Sequence, residues 1–337
     1  MRDLFFATGQ RTHFEPSGAL PMPGIDVHTH LAPVLAEGAV RGVETTADGR
    51  LTVDGHTVGP GDLYRPERLV AHLAAIDLDA AAVSIPPPFF RQGLGPGATE
   101  SWVRAANDGL LAAVREQPAL LPLAYLPLDR PQLALEEYAR VRGEQRWAGL
   151  AASAGGRSVS LADPALAPLW RALDDDARLL LLHPGSSPDA RMDEFYLGNL
   201  LGNPVETAVA AAQLVFGDVL PTHPRMRVLL VHCGGCAGGL VGRWERGVAT
   251  ARPGLRPLSE PPRTAVRRLH VDCLAHDPAV VSHAVEVFGP DKLLLGSDWP
   301  FPMGIEDPAE LIAHLDDDLR HRIAVDNARA ALGLRLG

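Results

Sequence analysis

The stretch Ile25-Asp26-Val27-His28-Thr29-His30 decides the reading of this chain. Side chains of an extended segment alternate with period two, so His28 and His30 point to one side and both imidazoles can reach one cation. A lone His-x-His is common by chance. Its weight comes from what ends the other apolar runs. Eight candidate strands follow one another: Gly24–His28, Ala80–Ile85, Leu120–Tyr125, Ala148–Ala152, Arg178–His183, Arg227–His232, Arg268–Cys273 and Lys292–Ser297. Helical patterns fill the intervals, which is the mark of a parallel sheet with crossover helices. Runs such as Leu179–Leu182 and Val228–Val231 suit strands buried on both faces and are too short for buried helices. The expected fold is therefore α/β, a (β/α)8 TIM barrel.

In a closed barrel the strand C-termini share one rim. His183 ends the fifth strand, His232 ends the sixth and Asp298 follows the eighth. Any one of these histidines reads equally well as a hydrogen-bonded core residue. It is the alignment of the group with strand ends one, five, six and eight that favours a metal. A buried carboxylate without a partner is costly, whereas one that ligates a cation is not. Imidazole and carboxylate donors together suit zinc, with manganese or iron as alternatives.

The helices carry their own punctuation. Asp163-Pro164, Asp277-Pro278 and Asp307-Pro308 each offer a capping acceptor followed by proline at the first helical position. One apolar face runs through Leu166, Leu169, Trp170 and Leu173, and another through Trp102, Val103, Ala106 and Leu110. Gly289 reads as a helix stop. A final helix, about Leu319 to Leu332, is expected outside the barrel. Two stretches break the rhythm. Within 34–65, alternating Val43–Thr46 and Leu51–Val58 around Asp48-Gly49 and Asp54-Gly55 predict a small antiparallel insertion after the first strand. Pro184–Asn203 is a long loop after the fifth strand, where barrel active sites are built. Nothing divides the chain, so 1–337 reads as one domain.

Composition narrows the partners. With 46% hydrophobic and 21% charged residues among 337, a large core is expected. The formal net charge is −10 and no Lys/Arg run occurs, which argues against nucleic acid. A small anionic substrate would need a local cation in its pocket. Three cysteines, an odd and low number, fit a reducing, cytoplasmic setting. No apolar run of about 18 residues predicts a membrane span, and Met1–Pro23 shows no signal-peptide pattern.

The His-x-His after strand one, histidines after strands five and six and aspartate after strand eight resemble the amidohydrolase superfamily. Within it the chain is most similar to the metal-dependent non-oxidative decarboxylases, the branch of the aminocarboxymuconate semialdehyde decarboxylases. The resemblance rests on Asp26-Val27-His28-Thr29-His30, His183-Pro184, Gly202-Asn203-Pro204-Val205-Glu206-Thr207, His232-Cys233-Gly234-Gly235, Val241-Gly242-Arg243, His276-Asp277-Pro278 and Leu295-Gly296-Ser297-Asp298-Trp299-Pro300-Phe301-Pro302. It implies that His28, His30, His183 and Asp298 bind a single metal ion, most readily Zn2+. His232 would act as the general acid/base beside a metal-bound water. Asp298 would also serve in catalysis. Arg243 would grip a substrate carboxylate across a homodimer interface, with Trp299 and Phe301 as substrate contacts.

The chain also departs from the pattern. Gly185 stands where the family's His-Pro is followed by tryptophan, and the insertion near Gly59–Tyr64 lacks the family's substrate arginine, for which Arg41, Arg65 or Arg91 could substitute. Cys233 and Cys236 have redox spacing but sit in a glycine-rich strand end. Asp272 reads as a partner of a metal ligand or a substrate contact. Phe89-Phe90 and Tyr196 are further candidates for an aromatic-friendly pocket. The functional expectation is a metal-dependent decarboxylase of a small unsaturated or aromatic carboxylic acid, a carboxy-lyase. The alternative is a metal-dependent hydrolase of an amide, lactone or imide. A barrel that only binds its ligand would have no need for four ligands and a poised histidine.

Overall fold

Gly24–His30 forms strand β1, buried at every position, in a computed structural model that describes residues 24–156 and 158–334. Met1–Pro23, read above for a signal peptide, lies outside the described residues. After β1 the chain makes the expected insertion, an antiparallel sheet of β2 (Val43–Thr45), β3 (Leu51–Val53) and β4 (His56–Thr57). The Tyr64 hydroxyl ties it down, accepting the Leu51 N–H at 3.0 Å and donating to the Val58 carbonyl at 3.0 Å. The barrel resumes with β5 (Leu78–Ser84), β6 (Leu120–Leu126), β7 (Gly149–Ser153), β8 (Leu179–His183), β9 (Arg227–Leu230), β10 (Leu269–Asp272) and β11 (Leu293–Leu294). Neighbours in the order β1-β5-β6-β7-β8-β9-β10-β11 are all parallel.

β11 is only two residues long, yet the ring closes beyond it. Val27 N–H donates to Leu295 O at 2.8 Å, Asp298 N–H to His28 O at 2.8 Å and His30 N–H to Trp299 O at 2.9 Å. Buried Asp26 pins the same seam, its Oδ1 accepting the N–H groups of His28 (3.0 Å) and Ser297 (3.1 Å). Two apolar layers result. Ile25, Val27, Ala82, Leu123, Leu181 and Leu229 fill the interior, and a larger cluster packs the strands against the surrounding helices.

Three details differ from the sequence expectation. First, the β1–β5 register shifts between Asp26 and Thr29, placing one extra residue in β1. This bulge lets Val27 stay in the interior core while His28 turns to face the ring of His183, centroids 5.2 Å apart. Second, β9 stops at Leu230 because His232 and Cys233 both adopt φ of 55°, which no strand accommodates. Third, the C-terminal helical run, 317–332, does not lie outside the barrel. Its Ala328, Ala331 and Leu332 join the interior cluster, so the run plugs the floor.

The helix caps follow the sequence. The carboxylates of Asp163, Asp277 and Asp307 accept the N–H groups of Ala165, Ala279 and Ala309 at 2.8, 2.8 and 2.9 Å, although Asp307 opens only a short 3-10 turn, Pro308–Ile312. Among the described residues, no helix is long and apolar enough to cross a membrane. The floor plug is held by buried Asn327, whose Nδ2 donates to Pro290 O and Leu293 O, each at 2.9 Å. Asn327→Ala strands both carbonyls and is expected to lower unfolding stability by about 1–3 kcal/mol. Chemical denaturation checks this, and an unchanged midpoint would show that the plug does not depend on those bonds.

Candidate metal centre

The rim above the interior core gathers polar side chains from four strands. The rings of His28, His30, His183 and His232 form a cluster with neighbouring centroids 5.0–5.2 Å apart. Asp298 reaches into it: its Oδ1 lies 3.0 Å from His30 Nε2 and 3.5 Å from His28 Nε2, and its Oδ2 lies 3.7 Å from His232 Nε2. The ring orientations are set from behind. His28 Nδ1 lies 2.8 Å from Asp272 Oδ2, His30 Nδ1 lies 3.1 Å from Ser84 Oγ and His183 Nδ1 lies 3.0 Å from Pro184 O. Each Nε2 is thereby turned inward, as ligating imidazoles require.

The decisive feature is what these atoms lack. Nε2 of His28, His30 and His183 and Oδ1 of Asp298 are buried with no hydrogen bond of acceptable geometry. Buried polar groups are almost always satisfied, and leaving four unsatisfied at one point would be costly. Three nitrogens and one carboxylate oxygen converging on one point are what a divalent cation accepts. A second grouping also fits a cation by distance: the donor atoms of His28, His183, His232 and Asp298 lie within 4.8 Å of one another. Exposure separates the two. His30 is fully buried with its Nε2 facing Asp298, whereas the side chain of His232 is 17% exposed and lines the cavity. His28, His30, His183 and Asp298 thus make the enclosed set, and His232 stands at its open side.

Burial drives the His183 pKa well below the ordinary imidazole value, assisted by the three neighbouring histidines, and burial likewise lowers His30. Burial also acts to lower His28, but Asp298 and Asp272 outweigh it and its pKa is raised. For Asp298, burial opposes ionisation, yet His28, His232 and His30 hold its carboxyl well below the usual range. Asp26, buried without a cationic neighbour of comparable strength, is pushed up to about 6.

A cavity of about 350 Å³ opens onto this cluster, bounded by His183, His232, Asp298 and Phe301. The loop 184–203 supplies much of its wall, including Gly185, Ser186, Tyr196 and Asn199. Phe301 stands edge-on to His30, centroids 5.5 Å apart. Trp299 does not line this cavity. Its indole stacks on His72 and faces a separate cavity with Asp62, Arg68 and Glu306. Phe90 is buried, stacked on Tyr125 and edge-on to His183. Arg243 is exposed on the helix Ala237–Ala249 and is not part of its own chain's cavity wall. Arg91 is committed elsewhere: Nε and Nη2 bind Asp54 at 3.1 and 2.7 Å, and Nη2 also binds Arg41 O. Cys233 is buried and Cys236 exposed, and both are free thiols. Sequence reasoning missed Ser84, the residue behind His30. Its only signal was its place as the polar end of an apolar run.

Comparison with known proteins places this geometry in context. Residues 25–334 match the family model described as Amidohydrolase. A 2-amino-3-carboxymuconate-6-semialdehyde decarboxylase from Dictyostelium discoideum is 27% identical over 92% of this chain and 91% of its own length. Among solved structures, 5-carboxyvanillate decarboxylase from Sphingomonas paucimobilis superposes with a TM-score of 0.75 at 20% identity, covering 93% of this chain and 100% of that one. A dihydroxybenzoic acid decarboxylase from Polaromonas sp. JS666, with bound manganese and 2-nitroresorcinol, gives 0.75 at 20% identity over 94% and 98%. With the match running from the first barrel strand to the floor plug, this chain belongs to the amidohydrolase family.

Proposed function

We propose that the protein is a metal-dependent, non-oxidative decarboxylase of a small aromatic or unsaturated carboxylic acid. The observation that carries the reading is the set of four buried, unsatisfied donor atoms with one further histidine open to the cavity. Support for carbon–carbon cleavage, as against hydrolysis, comes from the relatives, whose names describe decarboxylation. His28, His30, His183 and Asp298 would hold the ion. The donor set suits zinc, and manganese, present in the Polaromonas protein, fits it as well. A bound divalent cation would supply positive charge for the substrate's oxygens.

The chain's own groups do the rest. Phe301, Pro302 and Met303 would give the substrate ring apolar contact in the cavity wall, and Ser186 and Asn199 in the same wall would offer polar contacts. The bond from the ring carbon to the carboxylate breaks, its electron pair stays on that carbon, and CO2 departs. His232 Nε2, at the cavity face, delivers the proton to the same carbon as general acid. Arg243, exposed on its helix, is proposed to reach the cavity of a second copy in a homodimer and bind an anionic group there. The three free thiols suit a reducing, cytoplasmic setting.

Product analysis tests the reaction. Stoichiometric CO2 with solvent deuterium on the product carbon is expected. Oxygen-18 from water entering the product without CO2 would instead establish a hydrolase. His183→Ala is expected to lose bound metal and activity together. His232→Ala should retain most of its metal while kcat falls by about 10²–10⁴-fold, and turnover at the parent rate would rule out His232 as the proton donor. Arg243→Ala is expected to raise KM for the anionic substrate with little change in kcat, and an unaltered KM would remove Arg243 from the site.

A further inference from the structure

Asp272 is buried at the end of β10, and its carboxylate meets four donors among the described residues. Oδ2 lies 2.8 Å from His28 Nδ1 and accepts the His232 N–H at 3.1 Å. Oδ1 accepts the N–H groups of Cys233 at 2.7 Å and Leu274 at 3.1 Å. Neither oxygen is spare. The contacts reach both halves of the site: the ring of an enclosed ligand, and the backbone of the cavity-facing histidine. His232 and Cys233 sit at φ 55°, a left-handed conformation that non-glycine residues hold only when surrounding bonds impose it. Close approach is built in as well. A Cβ on Gly296 would come within 2.7 Å of Asp272 Cβ and 3.0 Å of His28 Cβ, so glycine at 296 is what lets the two side chains meet.

We propose that Asp272 is a positioning residue that couples metal holding to proton delivery, an inference that rests on the metal-centre reading above. By accepting from Nδ1–H it fixes the His28 tautomer, leaving the Nε2 lone pair for the ion. By accepting from the backbone of His232 and Cys233 it holds the left-handed turn that aims the His232 ring at the cavity. Asparagine cannot do both. Whichever way its amide is turned, the NH2 group faces two donors. With NH2 towards His28, that ring is driven to the other tautomer and its Nε2 carries a hydrogen. With NH2 towards Cys233 and Leu274, the turn loses two bonds.

Asp272→Asn tests this with two readouts, zinc affinity by chelator competition and steady-state kinetics at saturating zinc. The expected result is zinc binding weakened about 10–100-fold, together with a kcat at least tenfold lower at a KM within threefold of the parent. A merely structural role would lower the melting temperature and leave both values of the folded variant intact. Zinc affinity and kcat both within threefold of the parent would overturn the proposal. A measurement on the parent protein keeps it falsifiable should the variant not fold: the imidazole nitrogen-15 shifts of His28 at about pH 9, above the ordinary histidine range. Nδ1 protonated with Nε2 unprotonated supports the proposal, and an unprotonated Nδ1 overturns it. Failure of the parent to release CO2 would end the decarboxylase reading alone, because zinc affinity and tautomer do not depend on the reaction. A parent that holds no zinc would end the metal-centre reading, and the tautomer would still decide the role of Asp272.

Discussion

The seam between β1 and β11 is the constraint on which the rest depends. A barrel whose last strand has only two residues cannot be closed by that strand's ladder alone. Closure passes to the segment after it, through Leu295, Asp298 and Trp299 bonded to Val27, His28 and His30. The bond that ends the ring, Asp298 N–H to His28 O, is also the bond that sets the Asp298 carboxylate against two imidazoles. Fold closure and assembly of the rim cluster are therefore one event. A chain that failed to bring Asp298 to β1 would lose both, and Asp26, pinning His28 and Ser297 together, serves both for the same reason.

That shared seam explains how an arrangement unfavourable by itself persists. His232 and Asp298 both lie in the left-handed region, at φ 55° and 61°, each at a cost of order 1–3 kcal/mol. Four buried donor atoms face one another unsatisfied, which adds to the burden. Against this stands a continuous interior of Ile, Val, Leu and Ala side chains beneath the rim, and the barrel does not relax around one strained corner. The apolar core is what lets the rim hold its charges and angles in a geometry that a cation can use without rearrangement.

Much of this was legible in the sequence, for identifiable reasons. Leu179–Leu182 followed by His183 states both a strand buried on two faces and its polar end. The Asp-Pro pairs announce helix starts, because a cap acceptor and a pre-set φ have few other uses side by side. The Asp-Gly turns place the insertion sheet for a similar reason. Period-two alternation could not foresee the bulge between Asp26 and Thr29, since an extra residue leaves no compositional trace. Nor could apolar runs show that the sixth strand ends before His232, because Val231 is as apolar as its neighbours and the break is conformational. The floor plug and the outward turn of Trp299 depend on packing partners far away in sequence, such as the interior cluster for Ala328 and His72 for Trp299. Ser84 escaped notice because a serine that steadies an imidazole looks like any other serine.

The cavity's charge makes metal and substrate interdependent. Among the described residues, no lysine or arginine lines it, and burial keeps His183 and His30 towards their neutral forms. The space is instead faced by the carboxylates of Asp193 and Asp298, and Asp298, held ionised by its neighbours, by itself repels a carboxylate. A divalent ion among the four donors would reverse the sign of that local field and satisfy the unsatisfied atoms in the same step. An anionic substrate gains little by entering before the ion is in place. On the proposed reading each ligand would raise the affinity for the other, as reciprocity between linked sites requires, and His232 would meet substrate only in a pocket already made positive.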